Sequence, residues 1–328
     1  MRCLKKYILL MGLVLCLAKA SAQQTIQFSQ YVFNGLAVNP AYAGYKEDWT
    51  LNFSSRLQWV GINGAPQTGI TSIDGLPNSD NKNVGVGLIA TFDRLGPENI
   101  SSVYANYAYR LRLDEEDTKR LSFGIGFGAI QYRVNGAEFN ATDPGDGSVP
   151  AGLQSKLTPD FRFGVYYASP NIYFGASVFN LLAQTINDIT NNTPLIKPAR
   201  TLYLTGGTMI PVSEFVDIKP SLMIKEDFKG PTNIDLAAYL AFNRKVWIGA
   251  SYSTGAVIFN KKNLQSDLQQ ANAASAIAQF YINDNFRIGY SYDFTVSKLA
   301  GNQNGSHEIS LSLTFPRKKP RIVSPRYF

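Results

Sequence analysis

From Trp49 to Phe315 the chain alternates apolar and polar side chains in fourteen segments of about ten residues each. The first segment shows the pattern. Trp49, Leu51, Phe53, Leu57 and Trp59 share one parity with Ser55, and Thr50, Asn52, Ser54, Arg56 and Gln58 hold the other. Successive side chains of a strand point to opposite faces, so one face of this ribbon is apolar and the other polar. The same alternation returns in 84–92, 103–111, 121–127, 234–242, 286–294 and 309–315. A soluble β-sandwich also alternates, with its apolar face turned to a core, so parity alone does not decide between the two.

Loop placement helps to decide. The links fall near 60–66, 76–83, 93–99, 114–119, 133–159, 169–171, 180–199, 211–214, 228–231, 243–245, 255–272, 284–285 and 296–305. The three longest and the 296–305 link are odd-numbered connections, whereas 169–171, 243–245 and 284–285 are tight even-numbered turns. Long loops on one rim and short turns on the other are the plan of an outer-membrane barrel. Closure is obligatory in lipid, where an open edge leaves backbone groups unpaired at several kcal/mol each. The expectation is therefore an all-β transmembrane antiparallel barrel of about 14 strands over residues 49–315, with both termini in the periplasm. The second segment, 67–75, is poorly patterned. Pro220 interrupts the ninth, where a central strand would lose a ladder donor.

The amino-terminal stretch fits this compartment. Arg2, Lys5 and Lys6 precede an apolar run from Tyr7 to Leu17, and Ala20, Ser21 and Ala22 form a small-residue cleavage site. Residues 1–22 thus read as a secretory signal, with the mature chain starting at Gln23. Cys3 and Cys16 both lie in the leader, which leaves no thiol in the exported chain; Leu15 is too bulky for a lipoprotein acceptor site at Cys16. No run of 18 apolar residues follows the leader, so helical spans are excluded. Of 31 basic residues, four are in the leader and five (Arg317, Lys318, Lys319, Arg321 and Arg326) in the tail 316–328, which leaves 22 against 24 acids in 23–315. The alkaline balance belongs to the ends, and a nucleic-acid-binding face is not indicated.

On the lumen parity sit Arg56, Arg110, Arg162, Asp217, Lys219, Asp235, Arg287, Asp293 and Glu308. Mixed signs at that density favour an internal network of ion pairs over a wide channel of one charge. A barrel of this size has room for a plug, and residues 23–48, too irregular for a strand, are the candidate. Gly124, Gly126 and Gly128 alternate with Phe123, Ile125 and Phe127 and read as small lumen-facing residues that make space for a plug or for side chains.

Motifs that suggest other chemistry have simpler explanations. Gly85, Gly87 and Ala90 match a dinucleotide fingerprint, but Asp93 and Gly96-Pro97 follow where a helix is required. His307, the only histidine, opens the last strand beside Ser306 and Ser310, and nothing around it marks an activated nucleophile. Asp143-Pro144-Gly145-Asp146-Gly147 lacks EF-hand spacing and reads as an exposed turn. Asp114, Glu115, Glu116 and Asp117 read as a solvated turn, and 261–278, rich in Gln, Ala and Asn, as a short helix or a loop over one mouth. No enzyme activity, cofactor or metal is expected.

Residues 26–68 are more specific. Ile26-Gln27-Phe28-Ser29-Gln30-Tyr31, Asn34, Leu36, Asn39-Pro40-Ala41-Tyr42-Ala43-Gly44, and then Arg56, Gln58-Trp59, Gly61, Gly64-Ala65-Pro66 and Thr68 resemble the PorP/SprF family of type IX secretion system membrane proteins. The resemblance continues through Tyr107-Ala108-Tyr109-Arg110, Pro159-Asp160-Phe161, Pro220-Ser221-Leu222, Gly289-Tyr290-Ser291-Tyr292-Asp293 and His307-Glu308-Ile309. It implies an outer-membrane protein of the type IX export or gliding apparatus. Such a protein is paired with other components of that apparatus, or with a secreted surface adhesin whose C-terminal signal domain it helps to export or hold. Phe139, Leu153, Leu182, Ile186, Ile189, Ile258 and Phe259, in or near the long loops, are the candidate partner-binding residues. The competing expectation is a diffusion channel for small solutes. The basic tail departs from the family pattern, and the expectation for it is contact with acidic partners in the periplasm.

Overall fold

A computed structural model describes residues 28–316 except 79, 140–151, 183–184, 186–198, 257, 259–270, 297–300 and 302. Its strands are β1 (Trp49–Leu57), β2 (Gln67–Gly75), β3 (Val84–Leu95), β4 (Glu98–Arg112), β5 (Arg120–Asn135), β6 (Leu153–Ala168), β7 (Ile172–Phe179), β8 (Thr201–Thr208), β9 (Ile210–Pro211), β10 (Val216–Glu226), β11 (Thr232–Phe242), β12 (Val246–Ala256), β13 (Ala271–Asn283), β14 (Phe286–Thr295) and β15 (Ser306–Phe315). All belong to one antiparallel sheet in chain order, and it closes where β1 pairs with β15, from Trp49 against Phe315 to Leu57 against His307. The two-residue β9 continues the line of β8 beyond Met209, so the wall has fourteen staves.

Parity divides the wall as the sequence implies. In β1 the polar set Thr50, Asn52, Ser54 and Arg56 is buried, while Leu51, Phe53 and Leu57 are exposed on the outside. Phe127, Val103, Leu88, Phe174, Leu236, Ile248 and Phe294 continue the apolar exterior around the barrel. Such a surface suits hydrocarbon and would be a liability in water.

The strand ends flanking the links 58–66, 96–97, 136–152, 180–200, 227–231, 257–270 and 296–305 lie at one end of the barrel, here the loop rim. The other end, the turn rim, carries 76–83, 113–119, 169–171, 212–215, 243–245 and 284–285 together with Trp49 and Phe315. Between β11 and β12, Asn243 and Arg244 both have positive φ and Lys245 N–H bonds Phe242 O at 2.9 Å, a turn whose twist matches the strands it joins.

Several boundaries differ from the sequence expectation. The 93–99 link contracts to 96–97, and 133–159 contracts to 136–152, so Arg133, Val134 and residues 153–159 belong to strands. Ala271–Asn283 is a strand, which removes the second half of 261–278 from any helix or loop; the small contrast between outward alanines and inward Ser275 hides its period. Pro220 is accommodated where β10 faces the gap between β8 and β9. Ser221 pairs with Gly207 and Ile218 with Ile210, but the ladder lapses between them, while pairing to β11 is continuous.

Candidate functional site

Residues Ser29–Asp48 run inside the barrel. They form three single-turn 3-10 helices, Tyr31–Phe33, Gly35–Ala37 and Pro40–Tyr42, and their buried side chains Tyr31, Val32, Phe33, Leu36, Ala41 and Tyr42 belong to the interior core. Pro40 starts its turn with φ already suitable, and Asn39 caps it by accepting the Ala41 N–H at 2.9 Å. The same Asn39 amide donates to Val165 O on β6 at 2.9 Å and to Ala176 O on β7 at 3.3 Å. This close approach is possible because the wall beneath is glycine. A Cβ on Gly164 would collide with Asn39 Oδ1, one on Gly124 with the Ala41 backbone, and one on Gly85 with the Ala43 carbonyl. Gly126 makes room instead for the side chain of Asn106, and Gly128 for the Val103 carbonyl and the Tyr104 ring. Gly85 and Gly87 sit mid-strand in β3, which runs on to Leu95, so no helix N-terminus for a dinucleotide exists there.

Near the loop rim, Ser29 is held by an ion cluster. Arg56 meets Asp293 at 2.5 Å and Glu308 at 3.3 Å. Its guanidinium also donates to Ser29 Oγ at 2.7 Å. Ser29 donates its N–H to Glu308 at 2.8 Å and its hydroxyl to Asp293 at 2.8 Å. Gln30 adds bonds to Glu308 O (3.1 Å), Ser310 Oγ (2.7 Å) and the Gln279 amide. Two carboxylates and one guanidinium, all buried, are thereby tied to the inner segment by polar groups that offset their desolvation.

At the turn rim a second cluster fixes the other end. Glu47 pairs with Lys82 at 2.6 Å and with Arg110 at 3.9 Å, and Asp117 pairs with Arg120 at 2.5 Å and with Lys82 at 3.8 Å. Arg110 and Arg120 both donate to Lys82 O, at 3.2 and 3.0 Å. Asp117 is therefore buried and ion-paired, not solvated as its acidic turn suggested; Asp114 in the same turn is held below the ordinary carboxylate range by the backbone N–H of Lys119 and the hydroxyl of Thr118. Gly44 N–H bonds Asp74 at 2.9 Å just inside this rim.

The remaining lumen charges do not join one network. The Arg287 guanidinium lies 4.6 Å from the Phe33 ring centre, and Phe33 in turn meets Tyr239 and Trp247 edge-on at 5.2 and 5.8 Å. Lys219, 0% exposed, lies 5.7 Å from the Phe33 and Trp247 rings. Arg162 stacks on Tyr104 at 3.3 Å and Phe179 at 4.2 Å, beside Asp160, which accepts from Tyr104 at 2.8 Å. Asp217 pairs with Arg244 at the turn rim at 2.8 Å, and Asp235 neighbours Lys225 and Ser253. The wall also buries apolar side chains, among them Ile70 beside the inner segment and Ile89, Ile130 and Val134. Between the segment and β1, a cavity of about 20 Å³ borders Gln30, Phe33, Asn34, Asn52 and Arg287, room for about one water.

Of the candidate partner-binding residues, Leu153 (70% exposed, the first residue of β6), Ile258, Leu182 and Phe139 are exposed on the loop-rim side. Ile186, Ile189 and Phe259, like the leader, residues 143–147 and most of the basic tail, lie outside the described residues. His307 is on the outward parity of β15, its Nδ1 2.7 Å from the Tyr290 hydroxyl, while Ser306 accepts the Trp59 N–H and Ser310 serves Gln30. Among the described residues no histidine–serine pair forms.

A closed antiparallel cylinder with a lipid-compatible exterior and a side-chain-packed interior defines an outer-membrane β-barrel. Among solved structures the chain is similar to the toluene transporter TbuX of Ralstonia pickettii, at 11% identity and TM-score 0.52, over 88% of this chain and 94% of that one. A FadL homologue of Pseudomonas aeruginosa matches at 11% identity and TM-score 0.46 over 90% and 96%. At these identities the likeness is one of fold. No match was found among curated proteins. The profile of the family described as type IX secretion system membrane protein PorP/SprF matches residues 20–313. The chain belongs to that family, and is thus an outer-membrane barrel of type IX secretion.

Proposed function

We propose that this barrel is a non-enzymatic docking component that binds a secreted surface protein through its C-terminal signal domain at the loop rim, and helps to export or anchor it. The observation that carries the reading is the inner segment. It is seated by ion clusters at both ends and by the glycine cradle between them, so the lumen serves as a scaffold and not as a solute path. What remains for function is the rim, where a rigid cylinder holds Phe139, Leu153, Leu182 and Ile258 exposed. In this reading the loop rim faces outward, and the turn rim, with the tail beyond Phe315, faces the periplasm and other type IX components. A role in gliding follows if the client is a motility adhesin.

The test is recovery of a client after mild detergent extraction. Intact protein is expected to retain a protein carrying a type IX C-terminal domain, and the combined variant Leu153→Asp, Leu182→Asp, Ile258→Asp to lose it while the barrel stays folded. Retention undiminished by those changes removes the rim from the account.

A further inference from the structure

Strand β6 outruns its neighbour. It pairs with β5 along its whole length, from Ala168 opposite Arg120 to Leu153 opposite Asn135, but with β7 only from Ala168 to Phe163, which faces Val178. β7 ends one residue later at Phe179, opposite the start of β8 at Thr201. The chain then turns away from the β6 edge. Asn180 has positive φ, and the Leu182 N–H bonds Asp160 Oδ1 at 3.1 Å, a carboxylate on the buried, inward parity of β6. Residues 153–161 thus run on for about 30 Å with β5 as their only strand partner among the described residues.

Register shows which backbone groups are open. The Gly136 N–H bonds Gly152 O at 2.8 Å, so even residues of β6 direct their N–H and C=O to β5 and odd residues direct theirs to the other side. Pro159 agrees with this, since at an odd position its missing N–H takes nothing from the β5 ladder. Leu153, Ser155 and Leu157 therefore present a row of alternating donors and acceptors along the edge, and Pro159 closes the row below. Such a row is prohibitive in hydrocarbon. The outward side chains place it in water. Across β4, β5 and β6 the row Ala105, Phe127, Phe161 is apolar, whereas higher up Ser101 and Gln131 flank Leu157, and Asn99 and Arg133 flank Ser155. Against that polar ground Leu153 and Leu157 stand 70% and 69% exposed on the outward face. An apolar edge strand with open ladder groups is a template for another strand.

We propose that the client docks by adding a strand to this edge, pairing its backbone with Leu153, Ser155 and Leu157 and setting apolar side chains beside the two leucines. The proposal rests on the docking reading above and names its chemistry: an extended, proline-free segment at the edge of a folded domain. Alternating donors and acceptors at strand spacing match a polypeptide backbone and not a lipid headgroup. A second barrel in the same membrane does not fit. Barrel strands tilt by about 35–45°, so two facing β6 edges would cross at roughly 70–90°. The edge also adjoins Leu182 through its bond to Asp160, so strand addition extends the rim surface assigned to the client.

Ser155→Pro removes one edge-side N–H and leaves the β5 ladder intact, while Ser155→Ala keeps the N–H and removes the hydroxyl. Each full-length variant replaces the intact chain in its own cells, is extracted with mild detergent and is checked for folding by heat-modifiable mobility. Recovery of a protein carrying a type IX C-terminal domain is expected to hold in Ser155→Ala and to fall at least about tenfold in Ser155→Pro, where a carbonyl of the added strand loses its donor. Hydrogen exchange on the intact chain gives a second reading that needs no variant. The Leu153, Ser155 and Leu157 amides are expected to exchange fast in the client-free barrel and to be protected in the extracted complex. Full recovery by Ser155→Pro, an equal loss in both variants, or unprotected amides in the complex overturns strand addition. Rim docking survives that failure if the triple variant Leu153→Asp, Leu182→Asp, Ile258→Asp still loses the client. Protection already present in the client-free barrel also overturns it, the occupant being a second copy if protection grows with protein concentration and the chain itself if it does not. An intact chain that retains no client overturns the docking reading and strand addition together.

Discussion

Gly164 shows how tightly single residues are specified inside this barrel. The alanine methyl in Gly164→Ala would occupy the site of Asn39 Oδ1, and displacing that oxygen gives up its capping bond from the Ala41 N–H. The cost expected is about 1–3 kcal/mol, read as a lowered denaturant midpoint of the detergent-solubilised barrel. Arg56 is more demanding. Arg56→Met leaves Asp293 and Glu308 buried side by side without a cation, a loss of about 3–5 kcal/mol by the same measurement, and Arg56→Lys recovers only part because an ammonium lacks the fork that reaches both carboxylates and Ser29. An unchanged midpoint in Arg56→Met would mean that the cluster does not hold the segment. The sequence disclosed Arg56, Asp293 and Glu308 as inward charges through parity, and Gly124 through its alternation with phenylalanines. It concealed Gly164, which sits singly in an ordinary aromatic strand, and it concealed Lys82 and Glu47, whose surroundings look like any polar turn.

At the scale of elements, alternation located almost every strand, because lipid outside and polar groups inside impose a period of two. It failed where that contrast weakens. β13 presents alanines outward, and β3 to β5 turn Ile89, Tyr104, Ile130 and Tyr132 inward, so their apolar residues occur on both faces and the strands run longer than parity suggests. Pro220 looked costly from sequence alone, yet it lies beside the break between β8 and β9, where a ladder donor is not required. Pro220→Ala is accordingly expected to shift stability by no more than about 0.5 kcal/mol; a larger gain in denaturant midpoint would show that the proline does interrupt a bond the barrel would otherwise make.

For the whole molecule, the two ion clusters and the glycine cradle make the inner segment part of the wall's own packing, so the cylinder and its contents form one unit. In the proposed reading, such a unit serves as a platform that presents loops to a partner, with no route for solute traffic. That difference is measurable in planar bilayers, which makes conductance the most direct test of the central claim. The purified intact chain is expected to give no steady channel steps, and a variant lacking residues 28–48, shown to be folded by its heat-modifiable mobility, to give stable ones. Steady conductance of equal size from both would contradict the account and restore the reading of an open pore.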